Sequence, residues 1–346
     1  MTTAELIAAG LTYYVNQGSS SVLQDPRQRR RAWFFLTKAA KRLWDSAPYW
    51  FRKANGTVPL TSGVGTMPAD FSRIGTQGQV YIQGQLYRPL EYKSPDYVQF
   101  QIVNSPQTGT PWAYTLFTST PSVRAQGLQE ILCWPMDNSV LDVRAYDRKL
   151  VEMIDAPLAC NATPTVAAGA LTGTFKYKTT FVTARGETEG GFTSPTVSPS
   201  AQDVDLSAIP VWWGRTVTAR NLYRTMNGGN DYFFLDTLAD NVTTTYTDST
   251  LDVALGAAMP LEADSVSGAE EFPEQFHESS LYDGLEFFLA KSQGDGRDRQ
   301  FQNDWDRAVQ RMWEEIQQGQ NKINAFPPFP GFVGGNSVWS HWSPPS

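Results

Sequence analysis

The chain has 346 residues, 41% of them hydrophobic and 18% charged, which is enough to bury a core and long enough for two domains. A formal net charge of -7 gives no electrostatic reason to expect affinity for nucleic acid. Two cysteines exclude a disulfide framework or a zinc cage, and no apolar run approaches the ~18 residues of a membrane span.

The start, MTTAELIAAGL, has no basic residue before its apolar part and reads as no secretory signal, so folding in a reducing cytoplasm is expected. Leu6, Ile7, Leu11 and Tyr14 recur at helical spacing from Thr3 to about Asn16. GSSS, Gly18 to Ser21, reads as a loop. Asp25-Pro26, a cap followed by proline at the first helical position, opens a second helix that carries Trp33, Phe34, Ala40, Leu43 and Trp44 to about Ser46.

From about Thr57 to Asp155 the pattern turns to strands. Gln79–Ile82 and Gln85–Tyr92 around Gln83-Gly84 predict a hairpin; Tyr97–Val103, Trp112–Thr118, Glu130–Trp134 and Leu141–Leu150 read as further strands. Cys133 in one of them reads as a buried thiol. The segment Cys160 to Leu261 is rich in Thr, Ala, Gly and Val. In it FKYKTTFVTARGETE alternates, with Phe175, Tyr177, Thr179 and Phe181 on one face. Val217–Thr225, Tyr232–Leu238 and Thr243–Asp248 follow, with NGGN at Asn227 to Asn230 as a hairpin loop. Short strands at this spacing predict a β-sandwich of about one hundred residues.

Helices then return. Pro273 opens one with Leu281, Leu285, Phe288 and Leu289, and SQGDG at Ser292 to Gly296 breaks it. The next, about Asp298 to Gln318, has Phe301, Trp305, Val309, Met312 and Ile316 on one stripe. These helices need an apolar partner, and Pro26–Ser46 is the natural one, so the sandwich reads as an insertion into a domain made from both ends of the chain.

Chemistry is sparse. Of the two histidines, His341 lies in the tail and His277 reads as a surface residue, so no catalytic triad or two-histidine metal site can be assembled. Glu270-Glu271 and Glu314-Glu315 are adjacent, and adjacent helical residues do not face each other, so they read as solvated acids. GDGRD, Gly294 to Asp298, lacks the ligands of a calcium loop. RQRRR, with Arg27, Arg29, Arg30 and Arg31, reads as a solvated helix face or a contact for an acidic partner. The tail aromatics Phe326, Phe329, Phe332, Trp339 and Trp342 sit among Pro and Gly and suit an arm that folds onto a partner.

Two resemblances follow. The order of paired Trp/Phe helices, MPADFSRI (Met67–Ile74), WAYTLFT, LQEILCWPMDNSVLDVRAY, FPEQFHESSLYDGLEFFLA and a last amphipathic helix resembles the head-to-tail adaptor (connector) proteins of tailed bacteriophages. Leu171–Leu255 resembles the immunoglobulin-like or fibronectin-like modules of phage virion proteins. The resemblance implies an α+β fold: a helical-bundle adaptor core with a β-strand extension, plus an inserted all-β immunoglobulin-like sandwich. The implied division is 1–158 and 263–323 for the core, 159–262 for the insert and 324–346 for a docking arm.

It further implies a non-enzymatic virion protein without cofactor, made in the host cytoplasm and placed in the neck. There a dodecameric ring would sit beneath the portal protein, meet a tail tube, nozzle or stopper protein or tail fibres, and let genomic DNA pass without sequence-specific binding. Arg27, Arg29, Arg30, Arg31 and the five tail aromatics would then contact the portal or neighbouring chains. The alternative is a tail-completion or fibre-attachment protein whose sandwich binds host glycan or a neighbouring protein.

Overall fold

The computed structural model describes residues 1–15, 24–46, 50–75, 78–85, 88–117, 128–214, 216–261, 264–294 and 296–324, and it is a mixed α+β fold with several antiparallel sheets. Helix α1 spans Thr3–Val15 and α2 spans Pro26–Ser46. The start of α2 is set locally: Asp25 Oδ1 accepts from the Arg27 amide at 2.9 Å, and Pro26 takes the first turn. Its buried residues Ala32, Leu36, Ala39, Ala40 and Leu43 form one stripe.

That stripe meets the other end of the chain. A short helix, α3 (Pro95–Asn104), lies in the β body, and after a single π-helical turn at His277–Tyr282 the late helices α4 (Asp283–Gln293) and α5 (Asp298–Asn324) complete the bundle. Leu6, Ile7 and Leu11 of α1, Leu36 and Leu43 of α2, Leu285 and Leu289 of α4 and Met312 of α5 share one buried cluster. Fully burying each such leucine contributes about 1.5–3 kcal/mol. Helices α1 and α4 approach closely at Gly10, where a Cβ would lie 2.7 Å from Leu285 Cδ2. Gly294, at φ 68°, ends α4 in the left-handed conformation, and α5 turns back along it.

A β body occupies residues 53–148. Strands β1 (Lys53–Pro59), β3 (Phe71–Arg73) and β4 (Gln79–Ile82) all pair with the long central β8 (Val140–Arg148). A second sheet runs β2 (Val64–Thr66), β7 (Glu130–Trp134), β6 (Ala113–Phe117), β5 (Glu91–Tyr92). Val58, Phe71, Val80 and Leu141 of the first meet Tyr114, Ile131 and Cys133 of the second. Burial pushes the Cys133 thiol up to about 12, so it stays protonated at neutral pH.

Two expectations fail in this body. Gln79–Tyr92 is no hairpin: β4 pairs antiparallel with β8, whereas β5 pairs parallel with β6 in the other sheet. The turn at Gly84 forms, but the chain then crosses from one sheet to the other. Tyr97–Val103 is not a strand but lies within α3. Ser94 caps it by accepting from the Tyr97 amide at 3.4 Å, Pro95 takes the first turn, and Val98 and Ile102, four apart, pack on Leu132 and Trp134. The aromatic and β-branched composition hides a helical period.

Residues 161–248 build two further sheets. One is β11 (Gly186–Glu187), β10 (Tyr177–Thr183), β13 (Val217–Thr225), β14 (Tyr232–Leu238). The other is β15 (Tyr246–Asp248), β12 (Ser200–Ser207), β9 (Asn161–Thr172). They enclose Leu171, Phe175, Tyr177, Val204, Leu206 and Leu222. The FKYKTTF alternation is visible here, with Tyr177, Thr179 and Phe181 all buried. The strand expected at Thr243–Asp248 is shorter, Tyr246–Asp248.

At the α4–α5 contact, burial raises the Asp283 carboxyl from 3.8 to about 6; Glu286 and Asp304 add to the shift and Arg311 opposes it. Folding therefore takes up a proton between these values, and stability falls as pH rises from about 4 to about 6. Asp283→Asn is expected to flatten that slope and to add about 1 kcal/mol at pH 7, read from urea midpoints across the pH range.

Candidate interaction surfaces

Where the 161–248 sheets meet the helices, charges are buried. Arg29 on the first turn of α2 and Asp155, just after β8, are 2% exposed each. Arg29 Nε donates to Asp155 Oδ2 at 2.6 Å, and a second guanidinium nitrogen reaches Oδ1, giving a two-pronged pair. The Ala156 amide donates to Oδ1 at 2.9 Å, and the Phe192 ring lies 4.9 Å from the guanidinium carbon. Burial pushes the Asp155 carboxyl up, against the lowering by Arg29 and by the Ala156 amide. Arg29 belongs to the helices, and Phe192 lies between β11 and β12 of the two sheets of residues 161–248, the β module.

Beside this pair Trp33 of α2 stands edge-on to both Trp212 and Trp213, each at 5.5 Å, and those two stack at 4.3 Å. Trp33 Nε1 donates to the Met153 carbonyl at 2.6 Å. Glu152 accepts from Trp212 Nε1 at 3.1 Å and from Thr216 Oγ1 at 2.9 Å. A Cβ at Gly214 would push aside the Glu152 carboxylate and the Trp212 indole nitrogen that bonds it. A third attachment is Glu271, which pairs with Arg148 of β8 at 2.8 Å and with Arg185, in the β10–β11 turn, at 2.7 Å. That single carboxylate ties the β body, the helical segment and the module together.

The arginine run divides. Arg27, Arg30 and Arg31 are exposed. Arg30 lies 5.7 Å from the Trp213 ring, and Arg31 donates to Ser292 Oγ at 2.9 Å. Arg29 corrects the expectation of a surface contact: the helix turns it inward onto Asp155, and it has no surface to offer a partner. Phe326, Phe329, Phe332, Trp339, Trp342 and His341 lie outside the described residues, as does the GSSS loop.

His277 is not a surface residue either. It is 5% exposed, and its Nε2 is 2.8 Å from the Phe272 carbonyl, a bond that fixes the turn before α4. Glu271 is buried rather than solvated, while Glu270 accepts from Ser267 Oγ at 3.0 Å. Among the described residues no group of three or more His, Cys, Asp or Glu could hold a metal ion, and no helix is long and apolar enough to cross a membrane.

Inside the module two more arginines are fully buried. Arg224 Nη1 donates to Asp248 at 2.7 Å and Nη2 to Asp252 at 2.7 Å; Tyr177 donates to the same Asp248 at 2.9 Å. Arg220 pairs with Asp240 at 2.8 Å. Each arginine holds a loop that follows a strand. The sequence signal is their period: Arg220, Leu222 and Arg224 share one face of β13, and Leu222 is apolar.

No protein-family model matches the chain, and no curated protein matches it.

Asp155→Asn leaves the Arg29 cation buried without its counter-charge and is expected to cost about 3–5 kcal/mol in urea unfolding. The double replacement Arg29→Met with Asp155→Leu is expected to recover most of that loss, because it removes both desolvated charges together.

Proposed function

We propose that the protein is a structural subunit of the neck of a tailed-phage virion, a head-to-tail adaptor that assembles as a dodecameric ring between portal and tail. The observation that carries this reading is the position of the segments on which the resemblance rests. Met67 and Phe71 of MPADFSRI and Ile131 and Cys133 of the EILCWP strand belong to the β-body core. Phe272, Phe276, Leu281, Leu285 and Leu289 of FPEQFHESSLYDGLEFFLA belong to the helical core. The likeness therefore concerns residues that make the fold, which suits a family defined by architecture.

On this reading residues 159–262 are an immunoglobulin-like sandwich inserted between the two halves of an adaptor core. Three attachments at its root favour one fixed attitude, and a ring of repeated subunits needs that. Genomic DNA passes through the ring, and the net charge of -7 disfavours its retention. The tail beyond residue 324 serves as an arm toward the portal or a neighbouring chain. A second reading, a tail-completion or fibre-attachment protein whose module meets a neighbouring protein, is favoured by Leu251 and Val253, exposed at 53% and 93% on the loop after β15.

The test is the mass and symmetry of the protein assembled with its portal, by native mass spectrometry and electron microscopy. A twelve-fold ring is expected. A trimer or a six-fold ring would contradict the adaptor reading and favour the second.

A further inference from the structure

We infer that the Phe/Pro stretch Phe326–Phe332 of one copy docks into the tryptophan cleft at the root of a second copy's β module. The cleft has a volume of about 370 Å³ and is walled by Pro26, Phe181, Pro210, Val211, Trp212 and Trp213. Its charged lining residues are Arg29 and Asp155, which are spent on each other. Apart from the exposed Gln24, what remains is apolar and aromatic, with Phe181 and Trp212 buried at its floor and Val211 38% exposed at the surface. Such a surface selects an uncharged ligand rich in proline and aromatic rings.

The chain carries that ligand. Residues 325–332 read AFPPFPGF, with Phe and Pro alternating in short runs and no charge. Pro-rich segments favour the extended polyproline conformation, expose their carbonyls and lose little entropy on binding an aromatic groove.

Geometry assigns the segment to a second copy. Helix α4 and the segment before it run against α2: Trp44 meets Phe272, ahead of α4, at 5.5 Å, Lys38 lies 4.7 Å from the Phe288 ring, and Arg31 bonds Ser292. Helix α5 returns along α4, so it runs in the same direction as α2, with Trp305 under Arg42 at 4.9 Å. From Arg42 back to Pro26 is about 24 Å along α2, and from Trp305 on to Asn324 is about 28 Å along α5, in the opposite sense. The cleft and the end of α5 are therefore about 50 Å apart along the bundle. Phe332 follows Asn324 by only eight residues, about 26 Å of fully extended chain. The stretch falls short of its own cleft, and a neighbour's cleft is the one it can fill.

This goes beyond the adaptor reading, because arm exchange needs two copies and no particular ring. The test is hydrogen exchange on the full-length protein, read at residues 208–214, where the Trp212 amide bonds Asn241 Oδ1 at 2.9 Å. Protection there is expected to fall on dilution. Replacing all three phenylalanines (Phe326→Ser, Phe329→Ser, Phe332→Ser) is expected to speed exchange at 208–214 about tenfold. Val211→Asp, at the cleft surface, is expected to quicken proteolysis within 325–346 by a similar factor. Equal exchange in the wild-type and triple-serine proteins, or protection that does not change on dilution, would overturn the inference. A twelve-fold ring with unchanged exchange would sink arm exchange alone; concentration-dependent protection in a trimer would sink the ring alone.

Discussion

A guanidinium and a carboxylate taken out of water at one seam constrain the rest of this molecule. Removing Arg29 and Asp155 from solvent costs several kcal/mol per ion, and the two-pronged contact offsets that only while its geometry is kept. The seam cannot slide without exposing a bare charge to a low-dielectric interior. The tryptophans beside it add apolar area that is insensitive to small rotations. Glu271, gripped by Arg148 and Arg185, repeats the charged constraint at a separate point. Two charged attachments and one aromatic one hold the 161–248 sheets to the rest of the protein.

The same device recurs within the module. Its core is modest for its length, and β15 has only three residues. Arg220 and Arg224 compensate by reaching from a central strand to Asp240 after β14, to Asp248 at the end of β15 and to Asp252 beyond it. In the β body, Asp147 gathers Arg52, Lys53 and Arg73, and the hydrogen bonds from Lys53 and Arg73 outweigh burial and hold its carboxyl below the usual range. Such buried pairs add little net stability, but losing one partner leaves the other charge uncompensated at a cost of about 3–5 kcal/mol.

Much of the fold is legible in local signals, and the failures have local causes. Helix α2 is readable because Asp25, Pro26 and the apolar stripe agree, and β13 and β14 because alternation and the NGGN turn agree. Strands β9 and β12 escape notice because Asn161–Thr172 is built from Ala, Thr and Gly, and most of it is exposed. Helix α3 is misread because its composition is that of a strand. Arg29 cannot be separated from Arg27, Arg30 and Arg31 by sequence, since all four stand in one run and only packing against Asp155 and Phe192 distinguishes it. The aromatic excess is a partial signal for the seam, but it does not say which tryptophans meet.

The neck-adaptor reading and the arm exchange both depend on the module being fixed to the helices rather than tethered to them. Differential scanning calorimetry of the full-length protein tests this most directly. If the seam couples the two parts, module and helical core melt in one transition whose calorimetric and van't Hoff enthalpies agree. Two separate transitions, with the module melting independently of the helices, would contradict the account.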